Sequence, residues 1–223
     1  MVYSLLIVRP AGTEAGKFSS VTSAMSAGVK FIFTHATLSL VIVSMTAGMF
    51  AIRCFSALMA VYVRDILKSG TGLFGILGSL VGVGMLLGTQ SIHRFARNHS
   101  KSQLVTYGLL GTCVGIFVLA AAANIPSTVA GTLMTGFSVA FILIPATTLL
   151  QEETPHEMLG RVTSSLWAVL ALSQVAGLLL AGSIANLIGI RGVYFGSAAL
   201  LAVIAGAAHL RLKNAPVPVT SDS

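Results

Sequence analysis

Six long apolar stretches occupy this chain, and nearly all of its charge lies between them. Charged residues make up 9% of 223 positions, against about a quarter in an ordinary soluble domain. A bilayer span needs about 20 mostly apolar residues, and each stretch meets that length. A mean hydropathy of +0.92 with 55% apolar residues cannot be hidden inside a water-soluble globule of this size. Backbone groups in hydrocarbon must pair internally, and nothing alternates as a barrel strand would, so the spans are expected to be α-helices. Gly and Ala within them suit close packing in lipid. The fold class is therefore an all-α membrane protein with six transmembrane helices.

The spans are expected at about 37–63, 72–95, 103–123, 127–150, 160–188 and 192–210. Residues 1–17 read as the stub of a preceding helix and a linker, since Met1–Val8 is apolar but too short to cross. Phe18, Val21, Met25, Val29 and Ile32 recur at helical spacing with serines and Lys30 opposite. Residues 18–34 therefore read as an amphipathic helix at the membrane surface. The bundle proper covers 35–212, and 213–223 reads as a disordered polar tail.

The net charge of +7 is spread over loops, without the clustered basic face that nucleic acid requires. It bears instead on orientation. Nine Lys and Arg fall on the side that carries both termini, from Arg9 to Lys213, and three fall opposite: Arg64, Lys68 and Arg191. The termini are expected in the cytoplasm. Cys54 and Cys113 lie inside spans and read as free buried thiols.

Arg53 is the sharpest single signal. A cation that deep costs at least about 2.5 kcal/mol to insert, so it should face protein or a water-filled cavity. It reads as a substrate or anion contact, or as a packing Arg that bonds carbonyls or snorkels outward. No Asp or Glu lies well inside any span, so a proton carrier would belong to a partner. Thr128, Thr132, Thr135 and Ser138 stand close to one helical face; they are either a polar pathway wall or small-residue packing. Gln174 can bridge helices, Trp167 suits an interface anchor, and His35 sits at a span margin. Pro145 removes a helix hydrogen bond and should bend that helix near one end. The pairs Gly78–Gly82 and Gly84–Gly88 allow close backbone approach. No metalloprotease zinc motif, pair of membrane aspartates or Gly-x-Ser-x-Gly elbow occurs, so an enzyme is not expected, nor a cofactor or metal.

Two stretches are weakly alike: Gly84 to Ile92, ending the second span, and Gly177 to Ile184, ending the fifth. Each is the second helix of a three-helix set, the arrangement of two inverted three-helix repeats. Three segments carry a family resemblance: Met25-Ser-Ala-Gly28-Val-Lys30-Phe31-Ile32; Gln151-Glu-Glu-Thr-Pro155-His-Glu157-Met-Leu-Gly160-Arg161-Val-Thr-Ser164; and Gly182-Ser-Ile-Ala-Asn186-Leu-Ile-Gly189-Ile-Arg191. Together the chain resembles the C-terminal six-helix half of the major facilitator superfamily, in its siderophore- and macrolide-exporter branch.

The resemblance implies a transporter half in the bacterial inner membrane that moves small organic molecules outward by alternating access. The alternative is a truncated or partner-dependent half with no transport of its own. It implies a substrate pathway along Arg53, Thr46, Thr132, Thr135, Ser138 and Gln174. It also implies a gating loop motif of Gln151, Pro155, Glu157, Gly160, Arg161, Gly182 and Gly189. The acidic position of the family's Gly-x-x-x-Asp pattern is Ile92 after one span and Asn186 after another, so a salt bridge that needs that Asp cannot form. The expected partners are the lipid bilayer, a small-molecule substrate and a second six-helix half, either the absent N-terminal half or another copy. The faces for that half are expected to include Ser44, Thr46, Ser56, Thr132, Thr135 and Gln174, and Arg161 is expected to latch onto Glu157 or Glu153.

Overall fold

The computed structural model describes Thr34 and residues 36–213; the expected stub, most of the surface helix and the tail after Lys213 lie outside the described residues. Every regular element among them is helical: α1 (Ala36–Val61), continued by a π-helical turn Tyr62–Ile66, then α2 (Thr71–Phe95), α3 (Lys101–Ala121), α4 (Ile125–Glu153) and α5 (Leu159–Lys213). Among the described residues, five helices are long and apolar enough to cross a membrane.

Local chemistry sets the helix ends. Ser100 accepts from the Gln103 amide, and the Gln103 side chain accepts from the Ser100 amide, a capping box that starts α3. Asn124 Oδ1 accepts from the Ser127 amide at 2.9 Å, and Pro126 fills an early position that needs no N–H, so α4 starts at once. The turn after α1 closes at Lys68, whose φ is 51°.

α5 is 55 residues long, which as a straight rod would extend about 80 Å, well over twice a hydrocarbon core of about 30 Å. It is broken at Gly189, where φ 77° and ψ 164° are non-helical and open in practice only to glycine. The arms on either side meet α1 in opposite order. In the first, Ser173 bonds the Thr46 carbonyl and Gly177 lies against Phe50 and Cys54. In the second, Tyr194 bonds the Phe55 carbonyl at 3.2 Å, and Val203 to Arg211 share a groove with Ser39 to Ser44. The chain therefore turns back at Gly189, close to the boundary expected between 188 and 192.

α1, α3, α4 and α5 enclose the main core, in which Tyr62 and Tyr194 are fully buried with ring centroids 5.5 Å apart. The Tyr62 hydroxyl donates to the Leu119 carbonyl at 2.8 Å. α3 and α4 touch through small residues: a Cβ on Gly108 would meet Ile142, and one on Gly115 would lie 2.9 Å from the Gly131 carbonyl oxygen. α2 joins the bundle through α4, with Gly84 and Gly88 facing Leu133, Phe137 and Ala140 and Gly136 facing Val81. Gly78 and Gly82 face open space, so of the two expected pairs only the second packs within the described chain.

The outer surface is apolar. Leu86, Leu172, Leu187 and Val203 are at least two-thirds exposed. Apolar surface on this scale is untenable in water and natural in a bilayer.

Candidate functional site: a cationic groove between α1 and α5

Arg53 lies near the midpoint of the Leu38–Ile66 span, and Gln174 near the middle of the first arm of α5. The fold brings the two together. Arg53 Nε donates to Gln174 Oε1 at 2.6 Å, and both line an open groove of ≈ 500 Å³ with Ser56, Ala57, Ala171, Val175 and Leu178. That volume suits a small organic molecule.

The approach of the helices depends on Gly177. A Cβ there would stand 2.9 Å from the Phe50 carbonyl oxygen and 3.2 Å from Arg53 Cβ. Beside it, the Cys54 thiol donates to the Gly177 carbonyl at 3.4 Å, and Ser173 Oγ donates to the Thr46 carbonyl at 3.1 Å. Thr46 thus helps hold the wall in place; its own hydroxyl donates back to Ile42 at 2.7 Å. Ser173 and Gly177 are the residues that sequence reading missed. Their signal was present, since Ser173, Gln174 and Gly177 stand at the spacing of one helix face.

The other pathway residues lie elsewhere. Thr132, Thr135 and Ser138 are at most 3% exposed and do not line this groove. Thr135 Oγ1 donates to Gly131 and Ser138 Oγ to Met134, each at 2.8 Å, while Gly115 and Gly111 of α3 press on the two side chains. For Thr135 and Ser138 this geometry is that of the packing alternative, because hydroxyls satisfied by the preceding turn fit beside glycines; Thr132 Oγ1 is buried without a partner among the described residues. Ser44 is also 1% exposed, so Ser44, Thr132 and Thr135 are covered inside the bundle and cannot form a partner-facing surface.

The loop motif is spread over two regions. Gln151 ends α4 on its exposed side, and Pro155, Glu157, Gly160 and Arg161 are exposed around the start of α5. The Pro155 carbonyl accepts from the Met158 amide at 2.9 Å, forming a tight turn. Arg161 makes no ion pair with Glu153 or Glu157; the pair in this region joins Lys101 of α3 to Glu152 of α4. The physical reason is placement: Lys101, at the first turn of α3, reaches the last turn of α4. Gly160 and Gly182 have open space where a Cβ would go, so only Gly189 needs glycine for its backbone. Both thiols are free, with Cys54 buried and Cys113 half-buried. No group of His, Cys, Asp and Glu among the described residues could hold a metal ion.

An all-helical bundle with an apolar exterior and a mid-depth polar groove defines a multi-pass integral membrane protein. The chain belongs to the Major Facilitator Superfamily, whose family model matches residues 11–223. It is a membrane transporter of the major facilitator type, embedded in lipid and acting on small molecules. A search of curated proteins finds no match.

Proposed function

We propose that this chain is a six-helix transporter unit that exports small organic molecules by alternating access, with the α1–α5 groove as part of the pathway wall. The observation that carries this reading is Arg53: a mid-membrane cation held by Gln174, open on one side, in a groove with one wall. A charge at that depth is retained where it faces a watered cavity or another protein surface. The turn at Gly189 supports reading α5 as two crossings, for six spans in all. The likeness of the second and fifth spans then supports inverted three-helix repeats.

A second six-helix unit, either an N-terminal-type half or another copy, would supply the opposite wall, because such sites lie between two units that rock against each other. The loop of Gln151 to Arg161 and the turn at Gly189 would then gate opposite ends. The cation asymmetry favours the 154–158 connection in the cytoplasm, and the resemblance to the exporter branch implies a bacterial inner membrane. The partner-dependent alternative is favoured by the same one-walled groove. Cells expressing this chain alone are expected to retain an anionic dye such as carboxyfluorescein as vector controls do. Export by the monomer, abolished by Arg53→Ala, would overturn the need for a second unit; cross-linking in the native bilayer separates a monomer from a homodimer.

A further inference from the structure

Among the described residues, no acid compensates the charge of Arg53. Asp65, Glu152, Glu153 and Glu157, the acids among the described residues, stand at helix ends or in the 154–158 connection. The bond to Gln174 engages Nε and uses the carboxamide oxygen. Among the described residues, both Nη groups of Arg53 and the Gln174 amide nitrogen have no hydrogen-bond partner. The polar end of the groove thus offers N–H donors, a positive charge and the Ser56 hydroxyl, while Ala57, Ala171, Val175 and Leu178 complete an apolar wall. A guanidinium held at Nε presents its Nη edge as a planar fork, the geometry that carboxylates and phosphates accept. A cation would be repelled there, and a neutral molecule without acceptors would leave the donors dry and unpaired, at a cost.

We propose that the groove takes an amphipathic organic anion, its carboxylate or phosphate on Arg53 and its apolar body along Val175 and Leu178. Gln174 is the positioning residue that sets the guanidinium. The claim that this anion is cargo rests on the transport reading above; the claim that it binds does not. An anionic lipid headgroup and a soluble organic anion share this chemistry.

The test uses the full chain in phosphatidylcholine nanodiscs, titrated with radiolabelled octanoate, octanol or octylammonium, with empty discs subtracted. Octanoate is expected to bind saturably, about tenfold or more weakly in Arg53→Gln, and more tightly than either analogue. Gln174→Glu, which keeps the shape but places a carboxylate on Arg53, is expected to abolish octanoate binding; a merely structural Gln174 would leave it unchanged. Equal binding of octanol or octylammonium overturns the proposal. So does unaltered octanoate affinity in Gln174→Glu, or in an Arg53→Gln protein that elutes and melts as the parent does. Exchanging the lipid for phosphatidylglycerol assigns the source. A fall in octanoate affinity identifies the lipid headgroup as occupant, and an unchanged affinity identifies a soluble anion; both require the anion site. Failure of export when the chain is co-expressed with a second six-helix unit, with octanoate binding intact, would refute the transport reading alone.

Discussion

Two arginines near the same bundle core use the guanidinium in opposite ways. Arg191 spends its donors on backbone: Nε bonds the Ala120 carbonyl at 2.7 Å and Nη2 the Ala121 carbonyl at 2.9 Å. Those carbonyls end α3, where a cation also complements the helix dipole. Arg191→Ala is expected to cost about 1–3 kcal/mol in a membrane-protein unfolding assay, with Lys rescuing it only in part because it lacks the fork. Arg53 bonds one side chain and keeps its remaining donors for the groove. In a double-mutant cycle, Arg53→Leu and Gln174→Leu should couple by about 0.6–1.7 kcal/mol, the range for polar pairs across membrane helices. Strictly additive effects would mean that the bond carries no energy. Arg53 was legible in sequence because any cation inside a span stands out. The role of Arg191 was not, since its acceptors lie 70 and 71 residues away and sequence assigns it only to a loop.

At the scale of elements, glycine placement decides which helices meet. Gly177→Val should force the first arm of α5 off α1, costing about 1–3 kcal/mol and loosening the Arg53–Gln174 contact. Gly182→Ala, with open space at its Cβ, should be close to neutral in the same unfolding assay. Gly189→Ala places a side chain at positive φ and should cost about 1–2 kcal/mol, weakening the turn between the two arms. Helix ends were readable to within about two residues because loop charges and prolines are local signals: starts expected at 103 and 127 fall at Lys101 and Ile125, where the caps Ser100 and Asn124 went unread. The packing faces were not. The Gly78–Gly82 and Gly84–Gly88 pairs are indistinguishable as strings, and only α4 determines that the second is the buried one. The hydroxyl stripe of α4 was ambiguous for the same reason, because its fate depends on the glycines of α3.

At the scale of the whole molecule, the bundle is apolar outside, and the α1–α5 groove carries at mid-depth a cation with no acidic partner among the described residues. The proposed six crossings would place Ser100 and Ser164 on one side of the membrane and Ser69 on the other. Single cysteines at these positions, in a background without Cys54 and Cys113, should react with an impermeant maleimide in vesicles of opposite orientation. The groove bears on the central claim most directly. Ser56→Cys in that background, with lipid-facing Leu86→Cys as control, is to be labelled by the same reagent from each side of sealed vesicles. With the second six-helix unit present, a pathway wall predicts that Ser56→Cys is watered and reactive from both sides as access alternates, with Leu86→Cys inert. A Ser56→Cys as inert as Leu86→Cys would show the groove facing lipid, and would contradict the account.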